Sequence, residues 1–350
     1  MPIAGVIWSA LSVMQKTVKG NVMHLRQLIS SASLALVATL SATSAQAYSQ
    51  LVVFGDSLSD QGSAAAMLGG LLPSTPYFDG RFTNGPVAVE TMALQLGLAL
   101  DDRAVGGALT GAGNQFSFLN PALPGIATQV ATYTAVKTAG GESLDANALY
   151  MVWGGGNDFL SALSSNNYAA IPAASVNAIS NIRDEVANLY AAGARDFFMP
   201  TLADFAFTYA GVNASSTQQA LLSGMTASFN AGLQLALNQL GAAHADLHIQ
   251  YFDTNTFLVG LRAQMLASGG DLLDRCWSGS YGGSAATPSA SLCANPDQYF
   301  LFDTVHPTAF VHNALGNAFA AAAVPEPEAL SLALVGMLAL WGVNRKRVCV

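Results

Sequence analysis

Five short, mostly apolar runs punctuate the chain, at residues 50–55, 101–105, 149–153, 196–201 and 247–252. Apolar runs of this length, bounded by turn residues, read as strands buried on both faces of a sheet. The segments between them carry apolar positions at helical spacing. One helix is predicted over 86–98, opening on Pro86, which suits a first helical turn. Two longer ones are predicted over 173–192, stopping before Gly193, and 216–242, stopping at Gly241. An Ala-rich helix is predicted over 308–321. Strands alternating with helices imply an α/β fold, a parallel sheet covered by helices on both faces. The longest stretch without a predicted element is 268–295, and no internal repeat stands out.

The two ends follow different patterns. Arg26 precedes an apolar stretch from Leu28 to Leu40, then Ser41-Ala42-Thr43-Ser44-Ala45-Gln46-Ala47. A basic residue, a short apolar core and an Ala-x-Ala site predict a secretory signal peptide cleaved after Ala47, with Met23 a better start than Met1. At the other end, Val324-Pro325-Glu326-Pro327 is followed by an apolar stretch from Ala329 to Val343 and by Arg345-Lys346-Arg347. As a helix this stretch would span roughly 22 Å, marginal for a bilayer, with its basic flank held on the cytoplasmic side. The expected organisation is a leader over 1–47, one domain over 48–323 and a tail over 324–350.

Composition sharpens this picture in two ways. The mean hydropathy of +0.38 is high for an exported domain, and the two apolar ends supply part of it. Residues 48–324 hold seven Lys/Arg against nineteen Asp/Glu, a net of −12. Such a surface excludes a basic groove for nucleic acid and disfavours anionic membranes. Of the three cysteines, Cys349 lies in the tail. Cys276 and Cys293 remain as a pair in an exported domain, so a disulfide is expected between them, since two ligands do not make a metal site.

Four polar motifs interrupt the apolar pattern: Gly55-Asp56-Ser57-Leu58, Ala104-Val105-Gly106-Gly107-Ala108, Gly154-Gly155-Gly156-Asn157-Asp158 and Asp303-Thr304-Val305-His306-Pro307. The first three each follow a predicted strand, so they meet at the carboxyl edge of the sheet, where α/β proteins place ligands. A serine hydroxyl needs a base within hydrogen-bond reach. His306 can serve Ser57, and Asp303, three residues earlier, can orient the imidazole. The backbone N–H groups of Ser57 and Gly107 and the Asn157 amide could receive an oxyanion. Each feature has a plainer reading: Asn157 or Asp158 as a helix cap, the glycines as a tight turn, His306 as a loop residue. His244 and His248, four apart, suggest a metal pair, but they straddle the entry to a strand. His312 reads as structural. No Gly-x-Ser-x-Gly elbow, His-Glu-x-x-His or P-loop occurs.

In order and spacing, the four motifs resemble the GDSL, or SGNH, family of esterases and lipases. The resemblance puts the family's Ser, Gly, Asn and His on Ser57, Gly107, Asn157 and His306, with the glycine uncertain between 106 and 107. It implies a three-layer α/β/α, flavodoxin-like fold with a five-stranded parallel sheet in the order 2-1-3-4-5. Gly80-Arg81-Phe82-Thr83-Asn84-Gly85-Pro86 resembles a stretch of the branch that includes plant lipases and bacterial autotransporter esterases. Cys293-Ala294-Asn295-Pro296-Asp297-Gln298-Tyr299 is similar to the secreted bacterial members. Phe302 departs from the Trp that many relatives have before the Asp. The tail resembles a PEP-CTERM sorting signal, which implies an exosortase-type partner and a transient membrane anchor in the cell envelope. The expected activity is hydrolysis of acyl esters, phospholipids or acylated glycans through an acyl-enzyme on Ser57, without metal or cofactor. An acyltransferase and a catalytically silent matrix-binding protein are the alternatives. Loops at 58–80, 108–125 and 268–295 are expected to shape the pocket, with Leu68, Leu71, Leu72, Phe116 and Phe118 as candidate acyl contacts.

Overall fold

The computed structural model describes residues 48–164 and 170–324. The leader and tail readings, including the apolar stretch 329–343, lie outside these residues. Among the described residues no helix is long and apolar enough to cross a membrane.

Five parallel strands form the central sheet: β1 (Gln50–Gly55), β2 (Ala99–Asp102), β3 (Leu149–Trp153), β4 (Asp196–Pro200) and β5 (His248–Phe252). Their order is β2-β1-β3-β4-β5, as the resemblance implied. Four strands fall within a residue of the predicted runs. The second starts and stops earlier than 101–105. The Asp102 carboxylate accepts the Ala104 N–H at 2.9 Å and turns the chain there, although Arg103 and Val105 still donate to Val53 and Gly55 of β1.

Among the described residues seven longer helices accompany the sheet: α1 (Ala88–Leu96), α2 (Ile126–Lys137), α3 (Gly156–Ser164), α4 (Ile171–Ala192), α5 (Ser216–Ala243), α6 (Thr254–Ala267) and α7 (Ala309–Ala323). The helix predicted over 86–98 is shorter at both ends. The Glu90 carboxylate accepts the Val87 N–H at 2.9 Å at its start, and left-handed Gly97 (φ 67°) closes it. Ser215 caps α5, its hydroxyl accepting the Gln218 N–H, and this helix runs past Gly241 to Ala243. The helices α2 and α6 had no clear signature in the sequence, and α3 only the expected cap at Asn157 or Asp158.

Alternation along the strands divides the core in two. Val52, Phe54, Tyr150, Val152, Phe197 and Met199 pack against α2, α4 and α5. Leu51, Val53, Leu149, Met151, Trp153 and Phe198 pack against α1, α6 and α7. The result is three layers, with apolar area removed from water on both sheet faces as the main stabilising term.

The segment 268–295 is not wholly irregular. It opens on β6 (Asp271–Arg275), which pairs in parallel with β7 (Tyr299–Leu301) as a second, two-stranded sheet. These strands find each other across the intervening loop, a non-local pairing that local pattern does not announce. Cys276 and Cys293 are disulfide-bonded, as expected. The N–H groups of Cys276 and Trp277 donate to the carbonyls of Leu301 and Phe302. The cross-linked loop is thereby fastened to the strand that leads into the Asp303 motif.

Replacing both cysteines (Cys276→Ser with Cys293→Ser) should lower the unfolding free energy by about 3 kcal/mol, from the chain entropy released in the unfolded state. Urea unfolding of the oxidised wild type and the double variant measures it.

Candidate active site

β1 ends at Gly55 because its backbone is gripped from outside. The Gln129 side chain of α2 accepts the Gly55 N–H at 3.0 Å and donates to its carbonyl at 2.9 Å. A Cβ at Gly55 would meet the Trp153 carbonyl of β3 at 2.7 Å, so only glycine lets the strands stay this close. The chain then turns: Ser59 and Asp60 N–H both donate to the Asp56 carbonyl. Ser57 sits on this turn, 8% exposed, with its Oγ 2.7 Å from His306 Nε2.

The Asp303–His306 turn supplies the partner. Asp303 Oδ1 accepts the N–H groups of Val305 and His306 at 2.9 and 2.8 Å. His306 Nδ1 lies 2.8 Å from Oδ2 and 3.0 Å from Oδ1. With that nitrogen donating to the carboxylate, Nε2 is the acceptor for the Ser57 hydroxyl. Burial works to raise the Asp303 pKa. The His306 charge and the hydrogen bonds from His306 and Val305 outweigh it and hold the carboxyl below its ordinary range.

A fourth group joins this line. The buried Tyr77 hydroxyl donates to Asp303 Oδ2 at 2.8 Å. Burial, then the Asp303 charge, pushes the Tyr77 phenol far up, so it stays a donor. Tyr77 packs edge-on to Phe302 at 5.1 Å between centroids, so the residue standing where many relatives have Trp supports this tyrosine. Sequence reasoning missed Tyr77, because 226 residues separate it from Asp303.

Gly107 and Asn157 line the same cleft as Ser57 and His306. Gly107 adopts φ +79°, and a Cβ there would meet Phe116 at 2.6 Å and Asn114 Oδ1 at 2.7 Å. The choice between the two glycines follows from their N–H groups. The Gly106 N–H is taken by Asp60 Oδ2 at 2.7 Å, and among the described residues no hydrogen bond takes up the N–H of Gly107 or of Ser57. Asn157 donates one amide hydrogen to the Ala108 carbonyl at 2.9 Å, which orients its Nδ2 and leaves the second hydrogen. Asp60 also accepts from Gly62, Ser63 and Ala64, so one buried carboxyl ties the serine turn to the glycine turn. Asp158 braces the next loop, accepting both the N–H and the hydroxyl of Thr110.

The cleft measures about 970 Å³ to its open mouth and is mainly apolar. Of the expected acyl contacts only Phe116 lines it. Leu68 packs on the Phe82 cluster, Leu72 is half-buried outside the cleft, and Leu71 and Phe118 face solvent at 57% and 78% exposure. The walls come instead from Phe82, Leu202, Phe205, Phe207, Leu258 and Phe300. Of these, only Phe82 stood in a motif. The others follow β4 or belong to α6 and β7, and they reach the cleft through tertiary packing.

The remaining histidines stand elsewhere. His248 pairs with Asp196 at 3.0 Å, and His244 packs tilted against Tyr190 at 4.5 Å between ring centroids. Among the described residues no cluster could hold a metal ion. His312 is structural: its Nδ1 accepts the Ala88 N–H, and burial with the nearby His306 charge lowers its pKa to about 3.

A GDSL-like lipase/acylhydrolase family model matches residues 51–319, and the chain belongs to that family. Phosphatidylcholine-sterol acyltransferase of Aeromonas hydrophila is 38% identical over 121 residues, 34% of this chain and 35% of the relative. Esterase EstA of Pseudomonas aeruginosa is 29% identical over 327 residues, 82% of this chain and 48% of the relative. The chain thus spans from about a third to about half the length of these relatives. Among solved structures, a catalytic mutant of an acetylxylan esterase from Geobacillus stearothermophilus superposes with a TM-score of 0.44 at 11% identity, covering 80% of this chain and 95% of that one.

Asp56, buried beside the serine, offers a test by pH. Burial above all, then the Asp158 and Asp60 charges, raises its pKa to about 6 against the opposing Leu58 N–H and His306 charge. A folded-state pKa above the unfolded value means the ionised form costs stability as pH rises from about 4 to 6, and the cost persists above. Asp56→Asn should therefore gain about 2–3 kcal/mol over wild type near pH 8 and nothing near pH 3. Denaturant unfolding at the two pH values measures it.

Proposed function

We propose that this protein is an exported serine esterase that cleaves carboxylic acyl esters through an acyl-enzyme on Ser57. The observation that carries the reading is the unbroken line from Ser57 Oγ through His306 to Asp303, opening into an apolar cleft. In this reading Ser57 Oγ attacks the ester carbonyl while its proton passes to His306 Nε2. Asp303 stays ionised and stabilises the imidazolium. The N–H groups of Ser57 and Gly107 and the free hydrogen of the Asn157 amide receive the oxyanion. His306 then gives its proton to the departing alkoxide oxygen, and the acyl group stays on Ser57. Water, deprotonated by His306, attacks the acyl-enzyme, and His306 returns that proton to Ser57 Oγ as the acid leaves.

Export rests on the Arg26-to-Ala47 leader pattern, and retention at the envelope on the tail's likeness to a PEP-CTERM signal processed by an exosortase. The apolar cleft suits an acyl chain, as in a simple ester or phospholipid, and an acylated glycan would place its sugar at the mouth. A second reading is favoured by the stretch related to a phosphatidylcholine-sterol acyltransferase: an alcohol replaces water in the second half-reaction.

Hydrolysis of p-nitrophenyl esters from acetyl to palmitoyl tests the reading. Ser57→Ala should lose about 10⁴–10⁶ in kcat, together with labelling by a fluorophosphonate. Full activity in that variant overturns the reading, and a folded wild type that neither turns over nor labels favours the silent binding protein. Added alcohol, with analysis for a new ester, separates transfer from hydrolysis. Tyr77→Phe should lower kcat about tenfold with KM unchanged, because it deletes a buried hydrogen bond to an ionised group without touching the cleft. Steady-state kinetics on one ester decides.

A further inference from the structure

Away from the catalytic cleft, a groove of about 1050 Å³, counted to its open mouth, runs between α2 and α4. Its walls are the small side chains of Ala127, Ala131, Ala135 and Ala191, a surface suited to methylene groups. Its floor is not apolar. Glu185, 2% exposed, stands on the groove-facing side of α4, one turn from Asn181 and from Asn188, which also line the groove. Both Glu185 carboxyl oxygens and the Thr134 hydroxyl, facing from α2, are buried without a hydrogen-bond partner among the described residues.

A buried carboxyl with no donor is costly, and proteins rarely leave one so. Among the described residues no cation acts on Glu185. Burial above all, then the charges of Asp158 on α3 and Asp184 on α4, drives its pKa well above the ordinary value. The groove-lining residues of α2 carry no titratable side chain. Arg183, the nearest cation in sequence, is exposed and bonded to Asp184.

We propose that this groove is a binding site for a small primary alkylamine, the ammonium on Glu185 and Thr134 and the alkyl stem along the alanines. The head group's three N–H donors match three buried oxygens that have no partner. Its charge offsets the repulsion that an ionised Glu185 would meet from Asp184 and Asp158. The acidic domain supplies a field that draws cations. Binding ionises Glu185, and its proton goes to solvent.

Calorimetric titration of the purified protein with n-butylamine tests this, with n-butanol and tetramethylammonium as controls. The amine should bind at millimolar concentration near pH 8 and more weakly near pH 5, where the Glu185 proton must first be displaced. Butanol lacks the charge and tetramethylammonium the donors, so each should bind at least tenfold more weakly. Glu185→Gln should weaken the amine at least tenfold. Ala131→Leu, which fills the groove and leaves the carboxyl in place, should do the same. Equal binding of butanol, undiminished binding in both variants, or no binding by a folded wild type at either pH overturns the proposal. None of these readouts depends on ester turnover, so the site stands or falls apart from the catalytic reading.

Discussion

The structure around the cleft depends on one buried carboxylate. Asp303 is 1% exposed, and an ionised group at that depth survives only if its oxygens are satisfied by hydrogen bonds. Four donors meet the requirement: two backbone N–H groups of its own turn, the His306 ring and the Tyr77 hydroxyl. Each donor constrains a different part of the chain. The backbone pair sets the turn, the ring is aimed at Ser57, and Tyr77 ties the loop after the first strand to the far end of the domain. The demand of one charge for partners thus joins segments that begin more than two hundred residues apart.

The opposite wall of the site is held by the same physics on a smaller scale. Asp60 is pushed up in pKa by burial although four N–H groups oppose it, and those donors come from both the serine turn and the glycine turn. Gln129 clamps Gly55, and Asp158 clamps Thr110. These side chains face no substrate. They position backbone N–H groups, which have no rotamer of their own to adjust.

The second sheet and its disulfide extend this bracing. β7 is only three residues long and would be a poor strand alone. Pairing with β6, and the Cys276 and Trp277 N–H groups bonded to its end, anchor it beside Phe302. The cross-link sits where a small distortion would be felt at Asp303. Trp277 and Phe302, both buried, pack with Tyr77 in one cluster, so the packing beneath Asp303 and the covalent staple are one unit.

The strand order came only with the resemblance of the motifs to a known family; by itself the sequence determined the layers, the cysteine pair and the three residues of the Ser57–His306–Asp303 line. These were legible because each rests on a local rule: apolar runs that must be buried on both faces, a glycine where a strand ends, a polar motif at each carboxyl edge. The glycine that lines the cleft was legible only to within one position, since Gly106 and Gly107 differ in which N–H Asp60 occupies, a contact 46 residues long. The fourth member Tyr77, the β6–β7 pairing, the walls of the cleft and the unpartnered Glu185 were decided by the tertiary structure. Each depends on which distant surfaces meet, and the pattern of apolar positions states that a face will be buried without stating against what.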